Sequence, residues 1–333
     1  MDKPTKLEIR NMTKLYKNGD GVRRINLSVM LGELVTLLGP SGCGKTTILR
    51  TVAGFLSCDS GEILIDGQNI SPLPPEKRPT AMVFQSYNLW PHMTVYENMA
   101  FGLKLRKTPK QEIADRISWM LDLVKMSGFE KKFPGQMSGG QQQRIAIARS
   151  LLLEPQVLLL DEPFSALDAK IRSQMREELR KIQTDLAITV VFVTHDQEEA
   201  MALSDRIVVM NKGSIEQMGT PEEIYENPAT RYIASFIGEM NFVEQRDGTT
   251  IAVRPENVTL QLGDGTGGDI GGIVRTIMML GHFYEIAVGT EKGIVKAFVS
   301  AETAAQFNPG DQVNCFFDGT YRYQPDSDLT ENG

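Results

Sequence analysis

Cysteine, histidine, long apolar runs and surplus positive charge are all scarce in this chain. Its three cysteines, Cys43, Cys58 and Cys315, form an odd, scattered set. That set makes no disulfide framework and points to a reducing cytosol. Of three histidines, His92 and His282 have no partner ligands at metal spacing and read as structural or surface residues. The longest apolar runs, such as VLLL and VVFV, are strand-sized and far too short to cross a bilayer. The opening MDKPTKLEIR is polar and lacks the apolar core of a signal peptide. A chain soluble by itself is expected, which is compatible with a membrane partner. Positions 1–240 hold 29 Lys+Arg and 29 Asp+Glu, whereas positions 241–333 hold 6 and 13. The net charge of −7 therefore lies at the C-terminal end. The missing basic stripe argues against nucleic acid as a partner.

What is present is ordinary globular composition: 333 residues, 41% hydrophobic and 23% charged. That length suits one large or two ordinary domains. Up to about residue 235, apolar runs alternate with helical patterns. LVTLLG (34–39), VLLLDEP (157–163) and ITVVFVTH (188–195) are continuous apolar runs ending in polar residues. In IRSQMREELRKI, the residues Ile171, Met175, Leu179 and Ile182 share one helical face. Strands flanked by amphipathic helices predict a buried parallel sheet, whose ligands bind at the strands' carboxyl ends. Between about 105 and 135, EIADRISWMLDLVKM predicts a helical insert with Ile113, Ile117, Met120, Leu121 and Val124 packed in a core. After about residue 238, short alternating runs separated by turns such as GDGTGGDIGG predict a small, partly closed β-barrel. The tail PDSDLTENG is expected to be disordered.

GPSGCGKT (39–46) follows a strand and precedes a helix, the context in which G-x-x-x-x-G-K-[ST] cradles phosphate. Gly39, Gly42 and Gly44 let backbone N–H groups converge on phosphate oxygens. Lys45 is expected to reach the β- and γ-phosphates, and the Thr46 hydroxyl to ligate Mg²⁺. Two adjacent acids end the strand VLLLDEP: Asp161, suited to holding Mg²⁺, and Glu162, suited to acting as general base toward water. Strand alternation is the expected reason that they face different ways. His195, ending VFVTH, is placed to hydrogen-bond the γ-phosphate and the water. Gln85, in VFQSYNLWPHMTVYEN, is suited to sensing Mg²⁺ and the γ-phosphate. A second glycine-rich loop, MSGGQQQR (137–144), has no lysine, yet its Ser138 is expected to cap a helix GGQQQRIAIARSL.

Together these motifs resemble the ATP-binding subunit of an ATP-binding-cassette transporter, over positions 7 to about 240. The resemblance covers the Walker A residues Gly39, Pro40, Ser41, Gly42, Cys43, Gly44, Lys45 and Thr46, followed by Thr47. It also covers Gln85 of the Q-loop, the signature Ser138, Gly139, Gly140 and Gln141, the Walker B run VLLLDE, the D-loop SALD ending in Asp168, and His195 of the H-loop. Met137 stands where the family usually has Leu, and the adenine-stacking aromatic falls on Tyr16.

The resemblance implies an α/β P-loop NTPase with a parallel sheet core, an antiparallel β part and a helical subdomain at about 88–152, all within residues 1–238. A small OB-like (TOBE) β domain over 239–333 would follow, with VRPENV (253–258) as a typical element. It implies ATP and Mg²⁺ as ligands, and a head-to-tail homodimer in which Ser138, Gly139 and Gly140 of one subunit meet the γ-phosphate held by the other. It further implies a peripheral position on the cytoplasmic side of the membrane, two permease subunits docked near Gln85 and the aromatics of SYNLWPHMTVYEN, and indirectly a periplasmic or lipid-anchored solute-binding protein. FIGEMNFVE (236–244) is most similar to importer ATPases for polyamines, spermidine and putrescine; related subfamilies serve ferric iron, phosphonate, sulfate or sugars. Soluble ABC ATPases of DNA repair carry a long coiled coil and those of translation carry two cassettes, and neither pattern is seen. A GTPase would need N-K-x-D, and NKGS (211–214) lacks the Asp. A separate regulatory or binding role for the barrel is a further expectation.

Overall fold

A computed structural model describes residues 3–324 of the chain. The expectation for the tail PDSDLTENG falls outside the described residues. Contacts divide the chain into two compact units, Met1–Ile224 and Tyr225–Gly333.

The first unit is built on a six-stranded sheet. Its order is Ser214–Gly219, Arg206–Asn211, Leu34–Leu38, Thr189–Thr194, Val157–Asp161, Thr80–Val83. All neighbours are parallel except the first pair, which is antiparallel. A separate four-stranded sheet includes the antiparallel strands Gly21–Met30, Thr5–Leu15 and Ser60–Ile65.

Continuous apolar runs make these central strands because both faces are covered. In Val157–Asp161, Leu158 and Leu160 enter one core with Val190 and Phe192 of the neighbouring strand. Val157 and Leu159 enter the opposite core with Val191 and Val193. That first core also takes the helices Val95–Leu105, Lys110–Leu123 and Gly139–Leu151, and it includes Ile113, Ile117, Met120, Leu121 and Val124. The expected apolar face of the helix Ala169–Leu186 is present, with Met175, Leu179 and Ile182 buried and Ile171 partly so. Each fully buried Val or Leu contributes about 1.5–3 kcal/mol, so burial on both faces holds these strands in the centre of the unit.

The second unit holds a three-stranded antiparallel sheet, Asn241–Glu244, Thr250–Val253 and Tyr321–Tyr323, and a five-stranded antiparallel one. The latter runs Val258–Leu262, Gln312–Phe317, Ile270–Met279, Tyr284–Thr290, Gly293–Val299. The helix Arg231–Phe236, which the sequence pattern groups with the first domain, falls in this unit. Arg254, only 1% exposed, explains why. It stacks on the Tyr225 ring at 4.0 Å and donates to the backbone carbonyls of Tyr225, Ile237 and Glu239. The segment after Tyr225 is thus wrapped around a buried guanidinium of the β unit.

Phe192 is fully buried and packs on Phe164 with ring centroids 5.5 Å apart. Phe192→Ala is expected to destabilise the first unit by about 3–5 kcal/mol, measured as a lower urea midpoint at unchanged slope.

Candidate functional site

Three strands that are neighbours in the sheet deliver the site. Leu34–Leu38 pairs with Thr189–Thr194, which pairs with Val157–Asp161; Leu38 lies opposite Thr194, and Asp161 opposite Val193. The phosphate loop, the paired acids and His195 therefore leave the sheet side by side at its carboxyl edge.

The loop from Gly39 to Gly44 ends at the helix Lys45–Ala53, with Gly44 as N-cap at φ 103°. A Cβ on Gly44 would sit 2.3 Å from Val22 Cγ1, and one on Gly39 would sit 2.5 Å from the Met210 carbonyl oxygen. Glycine is required at both by space, and at Gly44 by conformation as well. Lys45 Nζ donates to the carbonyls of Gly39 at 2.7 Å and Pro40 at 2.9 Å. It also makes a weak contact with Cys43 Sγ at 3.8 Å. The lysine thereby pins the loop while the helix N-terminus presents N–H groups and a positive dipole end to an anion.

A cavity of about 370 Å³ opens over this loop, lined by Ser41, Gly42, Gly44, Lys45, Thr46 and Thr47, with Tyr16, Asn18, Asp20, Gly21 and Glu162. Tyr16 is 44% exposed, and its hydroxyl lies 3.1 Å from Thr47 Oγ1. The ring is accessible enough to stack on a flat ligand.

Thr46 Oγ1 donates to Asp161 Oδ1 at 2.9 Å. Burial holds the Asp161 carboxyl above the usual aspartate range, and the Glu162 charge adds to that. The Thr46 hydrogen bond, Arg50 and Lys45 oppose the shift without cancelling it. A buried carboxylate short of positive charge beside a hydroxyl oxygen is a hard, oxygen-only donor pair.

Glu162 diverges from Asp161, but not by strand alternation. The strand ends at Asp161, and Glu162 adopts a left-handed φ of 44°. Its N–H donates to Val193 O at 3.0 Å, and its carbonyl accepts from Ser165 Oγ at 3.0 Å. These bonds fix a conformation that costs a non-glycine residue about 1–3 kcal/mol. The turn brings Glu162 Oε2 to 3.3 Å from His195 Nδ1. Gln85 joins the group through Ser165, donating from Nε2 to Ser165 Oγ at 3.0 Å.

The second glycine loop folds as its sequence suggests. Ser138 is the N-cap of the helix Gly139–Leu151; its hydroxyl accepts from Gln141 N at 3.4 Å, while Gln141 Oε1 accepts from Ser138 N at 3.0 Å. A Cβ on Gly140 would meet Ile171 Cγ2 at 2.9 Å, so the helix start packs closely on the helix Ala169–Leu186. Asp168 caps that helix, accepting from Ile171 N at 3.0 Å. Ser138, Gly139, Gly140, Gln141 and Asp168 do not line the phosphate-loop cavity. The stretch SYNLWPHMTVYEN is less exposed than its aromatics suggest. Tyr87 is buried in the core, and Trp90 packs on Phe101 at 4.5 Å with Arg149 over its ring. Asn18 and Asp20 at the phosphate-loop cavity, and Arg50 and Ser165 in the cleft with Gln85 and Asp161, escape a sequence reading, although the Asp-Gly turn just after Tyr16 is a visible signal.

Residues 22–165 match the family model for ABC transporters, and residues 251–319 match that for the TOBE domain. The chain is 43% identical over 351 residues to a spermidine/putrescine import ATP-binding protein PotA of Mesorhizobium japonicum, covering 94% of this chain and 96% of the relative. The chain belongs to the ABC transporter family. A protein of the same name from Bacillus thuringiensis is 45% identical over 320 residues, covering 92% and 95% of the two chains. Among solved structures, cbiO1 of Clostridium perfringens, part of the ABC transporter complex cbiONQ, matches with TM-score 0.62 and 31% identity. That match covers 67% of this chain and 91% of the other. The protein is thus an ABC ATPase with a C-terminal TOBE domain, as its motifs imply. Among the described residues, no helix is long and apolar enough to cross a membrane.

The Asp161 carboxyl gives a test with a defined sign. Its folded pKa is raised, so its contribution to stability is intact below the unfolded value and is lost as pH rises through the folded one. Without nucleotide or metal, Asp161→Asn is expected to melt roughly 2–4 °C above the parent at neutral pH and to converge on it below about pH 4. Scanning calorimetry across pH reads this directly.

Proposed function

We propose that this chain is the ATP-hydrolysing subunit of an importer for spermidine and putrescine, acting as a head-to-tail pair of cassettes under a separate membrane permease. The observation that carries the reading is near full-length identity of 43–45% to relatives named for that import.

The residues suit the chemistry in named roles. Loop N–H groups from Gly42 to Thr47 and the Lys45 ammonium bind the phosphates, while Tyr16 stacks on adenine. Mg²⁺ fits the pair Thr46 and Asp161, with Gln85 beyond them. Among the described residues no cluster of three or more His, Cys, Asp or Glu is present, and Mg²⁺ is commonly held by one or two protein oxygens together with substrate phosphates. When bound, the ion would neutralise charge between the β- and γ-phosphates. Glu162 accepts a proton from the attacking water as its oxygen bonds to the γ-phosphorus and the bond to the β-phosphate oxygen breaks. His195 orients Glu162 and the γ-phosphate.

The signature helix start supplies a second anion site away from the phosphate-loop cavity. In the head-to-tail pair, Ser138, Gly139 and Gly140 close over the partner's γ-phosphate, and two such sites follow from two-fold symmetry. ATP then binds the halves together, and its hydrolysis lets them part. Switching that closure from 1:99 to 99:1 needs about 5.5 kcal/mol of differential binding. The permease docks at the cleft beside Gln85 and Phe84, and a periplasmic or lipid-anchored binding protein delivers solute to it from outside.

Glu162→Gln is expected to slow hydrolysis by about 10²–10⁴-fold and to accumulate an ATP-bound dimer on gel filtration. Ser138→Arg should bind ATP normally but neither dimerise nor hydrolyse it; full activity in a monomeric form would overturn the paired site. With its cognate permease and binding protein, the ATPase should be stimulated several-fold by spermidine or putrescine. Stimulation by a sugar, sulfate, phosphonate or ferric ion, with none by polyamines, would overturn the solute assignment.

A further inference from the structure

Along the helix Ala169–Leu186, Arg172, Arg176 and Arg180 recur at four-residue intervals and so lie on one stripe. Each meets an acid that follows the strand Thr189–Thr194. Arg172 Nη1 lies 2.8 Å from Asp196 Oδ2, Arg176 Nη1 3.6 Å from Glu198, and Arg180 Nη2 2.6 Å from Asp205. The three rungs tie the helix beginning at Asp168 to the segment beginning at His195.

Arg172 differs from the other two in what its partners carry. Its Nη2 donates to Leu167 O at 3.2 Å, one residue before Asp168. Asp196 is the residue after His195, and its other oxygen caps the helix Gln197–Leu203 by accepting from Glu199 N at 3.1 Å. On the other side of His195, Thr194 Oγ1 accepts from Asp196 N at 3.0 Å and donates to Glu199 Oε2 at 2.6 Å. Glu199 is 3% exposed, its carboxyl pushed up by burial, and Arg172 Nε approaches it at 3.8 Å. Both residues flanking His195 are therefore anchored in a cluster that Arg172 joins to the D-loop backbone.

We propose that Arg172 is a positioning residue for ATP hydrolysis: its grip on Leu167 O and Asp196 holds the loop 165–168 and His195 in one frame, keeping His195 Nδ1 in reach of Glu162. This rests on the reading of Glu162 and His195 given above. A partly exposed ion pair contributes only about 0–1 kcal/mol to stability, whereas a displacement of about 1 Å in a catalytic group can cost about 10²-fold in rate. The two scales separate a positioning role from a merely structural one.

The test uses the full chain and steady-state ATPase assays. Arg172→Ala should lower kcat about 10-fold or more, with KM for ATP within about two-fold and little change in melting temperature. Arg176→Ala removes an equal charge from the same stripe but touches neither loop, and should leave kcat unchanged. Arg172→Lys keeps the charge toward Asp196 without the fork to Leu167 O, and should recover part of the rate. In the His195→Ala background, Arg172→Ala should cost nothing further, because it acts through His195. An Arg172→Ala kcat within two-fold of the parent, an equal loss in Arg176→Ala, or full additivity with His195→Ala would overturn the proposal alone. A fully active His195→Ala would overturn the catalytic reading and this inference with it. Should Arg172→Ala fail to fold, Asp196→Asn and Arg172→Lys carry the same comparison.

Discussion

A strand with both faces in the core has only its ends for polar chemistry. Leu34–Leu38, Thr189–Thr194 and Val157–Asp161 are such strands, adjacent and parallel, with every residue of all three buried. Their parallel order levels the carboxyl ends, so a phosphate loop, two acids and a histidine far apart in the chain emerge within hydrogen-bonding distance. Thr46 meets Asp161 across 115 positions of sequence only because the sheet sets that register. Truncating the buried side chains of Val157–Leu160 would disturb the site without touching any of its polar side chains.

The site also holds features that work against the stability of the fold. Asp161 is a buried carboxyl with too little compensating charge, and Glu162 sits in a backbone region that its side chain disfavours. The surround imposes both states: burial raises Asp161 beyond what Thr46, Arg50 and Lys45 offset, and bonds to Val193 and Ser165 hold the Glu162 backbone. Such local conflicts persist where a rigid surround overrules them, and they collect at functional centres. Here they mark the same two residues to which the proposed hydrolysis gives the metal and the attacking water.

Much of this was legible in the chain itself. The phosphate loop, the paired acids, the helix capped by Ser138 and the buried faces at 113–124 and 171–182 all depend on short-range spacing, which a sequence displays. Three things were not. The direction of Glu162 depends on a left-handed turn that strand periodicity does not announce. Tyr87 reads as exposed because its neighbours are polar, yet it enters the helical core. The arginine stripe looks like a solvated helix face until the sheet brings Asp196, Glu198 and Asp205 against it. The unit boundary was blurred for a similar reason, since Arg254 gathers carbonyls from a segment that sequence grammar assigns to the first domain.

The borders of the six-stranded sheet bear on how copies of this chain can meet. One border is Ser214–Gly219, running against its neighbour's direction, and the other is Thr80–Val83, four residues long and preceded by Pro79. A brief margin flanked by proline and one whose pairing slips between Ile215 and Gln217 make poor templates for adding foreign strands, so continuous lateral growth into ribbons is disfavoured. Any association between copies would then avoid the sheet's flanks and fall on loops and helix starts such as that of Gly139–Leu151.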